Sequence, residues 1–173
     1  MATEIVLVRH GETEWSRDGR HTGNTDVLLT ERGREQAQAL GMALGGRSFA
    51  RVLTSPLSRA AETARLAGFG DAERRDELRE WDYGAYEGRK TAEIREERPG
   101  WTLWADGVPN GETAAEVAVR MADGVAEQGL GPFQAPDQLF GIGVDQQFVG
   151  VETMAVSRVV RTVYAVAVDQ ARM

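Results

Sequence analysis

The chain has no cysteine, only two histidines and no apolar run long enough to span a membrane. The first absence excludes disulfides, a thiol nucleophile and cysteine-ligated metal, and it fits a reducing cytoplasm. The second means that imidazole chemistry falls on His10 or His21. The N-terminus shows no basic segment followed by an apolar one, so no signal peptide is expected. Positive charge is in the minority, and the net charge of −7 argues against general binding to nucleic acid or to an anionic membrane. A phosphate site stays open, because a few arginines reverse the potential within one pocket. The 173 residues suffice for one domain with a proper core.

What is present starts at the N-terminus. Ile5 to Val8 is a short, mostly β-branched run that reads as a buried strand. It stops at Arg9-His10-Gly11, and an open α/β sheet places its ligand at the C-terminal ends of its strands. Arg9 offers a planar fork of donors for phosphate or carboxylate, and His10 a nitrogen that is nucleophilic near neutral pH. Gly11 lets the backbone come close to an anion. These three residues fit an ordinary strand end equally well.

Strand and helix signals then alternate. Trp15 to Asp26 is a polar loop in which the Thr22 hydroxyl and the Gly23 backbone could donate to an anion, or simply form a solvated turn. Thr30 caps a helix running to about Leu44, with Ala37, Leu40 and Leu44 on its apolar face and Gly45-Gly46 as its stop. Val52 and Leu53 begin a second strand. Ser55 as N-cap with Pro56 at the first helical position starts another helix. Arg59 then lies in its first turn, beside the positive helix end, which makes sense if an anion binds between them; otherwise Arg59 is an exposed helix residue. Asp76 to Glu80 reads as a third strand leading into acids interleaved with aromatics, Glu80 to Gly88. A carboxyl beside aromatic rings can hold its proton as a general acid needs, although the stretch also fits a solvated acidic turn. Thr91 to Arg98 is a short helix ended by Pro99, Trp101 and Trp104 pack over a pocket rim or, in the simpler reading, on the core, and Thr113 with Glu116 forms a capping box ahead of the stripe Val117, Met121, Val125. The alternation implies a three-layer α/β/α sandwich with a mostly parallel central sheet. No metal-ligand cluster is evident.

The string Arg9-His10-Gly11-Glu12-Thr13 resembles the signature of the histidine phosphatase superfamily, which includes the cofactor-dependent phosphoglycerate mutases. Further matches are Thr22-Gly23, Asp26 and Leu29-Thr30-Glu31-Arg32-Gly33, then Ser55-Pro56 with Arg59 and Thr63. Leu78, Glu80, Tyr83-Gly84 and Glu87-Gly88 follow, and Gly111-Glu112-Thr113 is a close variant of the family's Gly-Glu-Ser. Ser16 and Leu28 depart from the usual Asn and Pro. The resemblance covers about residues 3–127 and implies a phosphoglycerate mutase-like fold over a single domain, 1–173. It implies that His10 becomes a phosphohistidine, that Arg9 and Arg59 hold the phosphate, and that Glu80 protonates the leaving group and then deprotonates water. Ser16, Thr22 and Gly23 are the implied substrate contacts, and Glu87 is structural.

After Gln128 the resemblance ends. The family's second His-Gly is absent, and His21 sits where the family is usually aromatic, so no residue takes that role. Of the 46 residues from 128 on, 7 are charged, against 40 of the 127 before them. Leu139–Val144 and Phe148–Val151 could be strands, while Val156, Val159, Val160, Val163 and Val166 fall at helical spacing but are β-branched. A reading-frame change near residue 128 would explain this atypical tail; a divergent tail is the alternative. The implied activity is hydrolysis of small phosphate monoesters, with no cofactor and no metal. The alternatives are a module that binds phosphorylated ligands without turnover, a mutase-type phosphotransferase, and a damaged gene product without a stable fold. The absence of a long insertion favours phosphatase over mutase. The expected partner is a small phosphorylated substrate, with a homodimer left open and the cytoplasm as compartment.

Overall fold

A computed structural model describes residues 3–125 together with strands at 139–142, 151–153 and 165–170. Strand β1 (Thr3–Val8) is followed by a single turn of helix, α1 (Glu14–Arg17), and by helix α2 (Glu31–Ala43). Strand β2 (Arg51–Thr54), helix α3 (Ser58–Leu66) and the two-residue strand β3 (Glu73–Arg74) come next. Helices α4 (Thr91–Glu97), α5 (Leu103–Asp106) and α6 (Ala114–Val125) precede strands β4 (Leu139–Ile142), β5 (Val151–Thr153) and β6 (Ala165–Gln170).

The six strands form one sheet in the order β3-β2-β6-β1-β4-β5. Strand β1 is parallel to β4 and β2 to β3, while β6 runs antiparallel to both β1 and β2. Strands β1 to β4 therefore point one way and β5 and β6 the other. The sheet is mostly parallel in strand direction, but β6 wedged at its centre makes the pairing mixed. The tail thus supplies strands close to two of the expected places. Val166 is in a strand rather than a helix, in keeping with its branching; positions 156–163 lie outside the described residues.

Residues alternate across β1. Val6 and Val8 join Leu40 and Leu44 of the α2 region and Ala67 after α3 in one buried cluster, with Phe49, Val52 and Phe69 packed against it. Thr30 caps α2 by accepting from the Gly33 amide at 3.0 Å, and Gly45 and Gly46 follow its end at positive φ. A second, largely aromatic cluster holds Trp81, Tyr83, Tyr86, Ile94, Trp101, Leu103 and Val117. Trp104 is 41% exposed but meets Trp81 edge-on with ring centroids 5.4 Å apart, so Trp101 lies in the core and Trp104 packs at its edge.

Two local expectations are corrected. Helix α3 begins at Ser58 and not at Pro56. The Ser55 hydroxyl accepts from the Leu57 amide in a preceding turn, and the helix end is instead satisfied from afar: Asp26 accepts from the Ser58 amide at 2.8 Å and from its hydroxyl at 2.6 Å. Residues 76–80 are not a strand. Pairing ends at Arg74, Asp76–Leu78 is a turn of 3-10 helix, and burial of Leu78 pulls the chain away from the sheet.

Candidate active site

Strand β1 delivers Arg9 and His10 to its C-terminal end. The turn beyond depends on close backbone contact: a Cβ on Gly11 would overlap the Gly33 carbonyl, and one on Gly33 would overlap the Glu12 carbonyl. The Gly11 amide donates to the Thr63 hydroxyl of α3 at 3.0 Å, tying the turn to a second element.

His10 is 5% exposed. Its Nδ1 lies 2.6 Å from the Gly11 carbonyl oxygen. A carbonyl only accepts, so the proton is on Nδ1 and Nε2 carries the lone pair. Burial, then the charges of Arg59 and Arg9, lower the imidazole pKa to about 3, against the opposing bond to Gly11. The ring is neutral at physiological pH, as a nucleophile must be.

Glu80 is 6% exposed and lines the same cavity as His10. Burial raises its pKa to about 7, against the Trp81 amide, which donates to Oε1 at 2.9 Å, and against Arg59, Arg9 and Arg120. A carboxyl poised there can give a proton and take one back. The cavity, about 300 Å³, is lined by Arg9, His10, Ser16, Thr22 and Glu80 among the expected residues. It is also lined by Arg20, His21, Tyr83 and Leu103, which sequence reasoning left without a role; the signal available was that Arg20 and His21 directly precede Thr22-Gly23.

The other expected contacts are placed differently. The Gly23 amide is already used, donating to Glu87 Oε1 at 2.8 Å, which also accepts from the Thr25 amide at 3.1 Å. Glu87 therefore has the structural part expected of it, and Gly23 supports the loop instead of offering a donor to substrate. The Ser16 hydroxyl is shared with Thr13, donating to its carbonyl and accepting from its amide in a capping box. The Thr22 hydroxyl donates to the Arg20 carbonyl at 3.1 Å. Arg59 is fully buried, not an exposed helix residue, and donates to the carbonyls of Thr22, Gly23 and Thr25. It thereby holds the loop in place while its charge acts on both His10 and Glu80. His21 behaves as an aromatic: its ring lies 4.7 Å from that of Tyr83 and 5.7 Å from that of Trp101, and Nε2 meets the Thr91 hydroxyl at 3.2 Å.

A larger, open depression of about 870 Å³ lies along α6 among Glu77, Asp82, Glu112, Glu116 and Asp123. Its acidic lining repels a phosphate, so the smaller cavity is the candidate site. Among the described residues, no helix is long and apolar enough to cross a membrane.

Residues 5–128 match the histidine phosphatase superfamily (branch 1), and the chain belongs to that superfamily. Its fold is phosphoglycerate mutase-like, and relatives named as phosphatases place it among the phosphatases of that superfamily. It is 46% identical over 138 residues to an acid phosphatase of Mycobacterium tuberculosis, covering 79% of this chain and 68% of that protein. It is 38% identical over 151 residues to a sedoheptulose 1,7-bisphosphatase of Saccharomyces cerevisiae, covering 73% of this chain and 55% of that protein. Among solved structures, the product of an open reading frame of Mycobacterium tuberculosis superposes with a TM-score of 0.67 at 41% identity, over 82% of this chain and 73% of the other. A mycobacterial glucosyl-3-phosphoglycerate phosphatase gives 0.67 at 33% identity, over 79% and 70%.

Proposed function

We propose that the chain, as one domain over 1–173, hydrolyses small phosphate monoesters through a phosphohistidine at His10. The observation that carries this is the pairing of a neutral, Nδ1-anchored imidazole with a carboxyl of raised pKa in one small cavity. Arg9, at the rim of that cavity, neutralises the phosphate oxygens, and Arg59 adds its buried charge from behind. Nε2 of His10 attacks phosphorus as the ester bond breaks, and Glu80 gives its proton to the leaving oxygen. Glu80, now ionised, takes a proton from water, whose oxygen attacks the phosphohistidine and frees His10 and phosphate. Ser16 and Thr22 border the substrate.

The acidic balance suits a small anion held by local arginines better than nucleic acid, and the lack of cysteine suits the cytoplasm. The test is turnover of an aryl phosphate by the purified chain beside His10→Ala. Activity that disappears in the variant supports the reading. A folded wild type that binds phosphate without turnover supports the second reading, a phosphate-binding module. That reading is favoured by one fact: the sequence holds no histidine beyond His10 and His21, and His21 is committed to Tyr83, Trp101 and Thr91. Resequencing across codon 128 tests the frame change; the idea fails if no neighbouring frame encodes a His-Gly continuation.

A further inference from the structure

Residues 76–82 leave the sheet, so their carbonyls have no strand to pair with. Arg120 of α6 supplies donors to them. Its Nη1 donates to the carbonyls of Glu77 at 2.8 Å and Arg79 at 2.9 Å, and its Nη2 approaches that of Glu80 at 3.5 Å. The same guanidinium grips both carboxylate oxygens of Glu112, from Nε and Nη2, each at 2.7 Å. Glu112 reaches the far side of the segment: its Oε2 accepts from the Asp82 amide at 2.9 Å, its amide donates to the Asp82 carbonyl at 3.0 Å, and its carbonyl accepts from the Trp81 indole at 2.7 Å.

Glu80 is therefore held from both flanks by one ion pair, on the N-terminal side by Arg120 through the carbonyls of residues 77, 79 and 80, and on the C-terminal side by Glu112 through Trp81 and Asp82. Helix α6 is itself fixed. The Thr113–Glu116 capping box sets its start, and at Gly124 a Cβ would come within 2.6 Å of the Glu77 Cβ, so the helix lies directly on the 76–78 turn. Taken together, we propose that Arg120 and Glu112 are positioning residues for the proton-transfer step, forming a clamp that keeps the Glu80 carboxyl turned into the cavity. The proposal rests on the reading of Glu80 as the acid.

Arg120 also acts on Glu80 as a charge, so the test must separate charge from position. The groups that face Glu80 are Arg9 and His10 beyond β1, Arg59 of α3, Arg120 of α6 and the Trp81 amide. Arg120→Lys keeps the charge but cannot span three carbonyls and both oxygens of Glu112. The Glu80 carboxyl is followed by carbon-13 NMR titration of the full chain, with Glu80→Gln assigning the signal. If the clamp positions Glu80, the lysine variant lets water in and the midpoint falls from about 7 toward the ordinary 4.5. An unchanged midpoint means that charge alone matters and overturns the proposal. Glu112→Asp keeps the charge but is one methylene too short to hold both Arg120 and the Asp82 amide, and it gives the same direction of change should the lysine variant not fold.

The catalytic half is read from two esters. A general acid matters most for a poor leaving group, so kcat/KM on an alkyl phosphate falls at least about tenfold further than on an aryl phosphate with an acidic leaving group. Equal losses on the two esters overturn a role in proton transfer. If the wild type turns over neither ester while the midpoint still falls, the clamp stands and the proposed hydrolysis fails.

Discussion

The wall behind His10 and the wall behind Glu80 are built in different ways. His10 is backed by an aliphatic cluster and by backbone contacts so close that two glycines are needed. Glu80 is backed by aromatic rings and held by hydrogen bonds to one arginine and one glutamate. The first wall is steric and the second is polar. Both shift the site group toward its uncharged form, but in opposite directions: burial discourages a proton on His10 and favours one on Glu80.

The contrast is sharpest if the two groups are removed in turn. His10→Ala deletes the nucleophile, and turnover of every ester falls by roughly 10³-fold or more, measured as initial rates on aryl and alkyl phosphates. Glu80→Gln deletes proton transfer, with a loss of roughly 10² to 10⁴ on an alkyl phosphate and much less on an activated aryl one. In the wild type the first chemical step slows as pH rises through about 7, and that limb is missing in the glutamine variant.

The same carboxyl gives a stability signature. Its native pKa lies above the ordinary 4.5, so its contribution to stability is full below 4.5 and is lost as pH rises through about 7. Glu80→Gln therefore gains Tm relative to wild type above about pH 7 and not at pH 4. His10 has the opposite sign. Its contribution is present above 6.5 and is lost as pH falls through about 3, so wild type loses stability to acid faster than His10→Ala does.

The steric wall is tested by Gly11→Ala. The added methyl meets the Gly33 backbone, which cannot move aside as a side chain could. The expected loss is about 1–3 kcal/mol in denaturant unfolding, with activity falling in parallel. The smallest effect is at the loop. Asp26→Ala removes the remote cap of α3, costing about 1 kcal/mol by the same measurement and leaving His10 and Glu80 untouched.

The steric wall was legible in the sequence because its signals are local. A β-branched run, an Arg-His-Gly string and a capped helix with its glycine stop all lie within a few residues of the features they specify. The polar wall was legible only in part. Glu80 among aromatics pointed to a retained proton, but nothing nearby revealed that Arg120 and Glu112 would hold it. Asp26 taking over the cap expected of Ser55, and Glu87 claiming the Gly23 amide, are likewise contacts between residues 32 and 64 positions apart. Spacing along the chain carries no record of such meetings. The place of β6 between β1 and β2 is the extreme case.

That placement has a consequence for how the protein is made. Strands β1 and β2 never touch one another; the strand that joins them pairs Thr3 with Gln170. Until residues 165–170 emerge, β1 and β2 each present a bare edge, and His10 hangs on one of them. Joining β1 to β2 must wait for residues 165–170 and close a long loop, a route that is slow and exposes sticky edges meanwhile. His10 is encoded well before the strand that secures it.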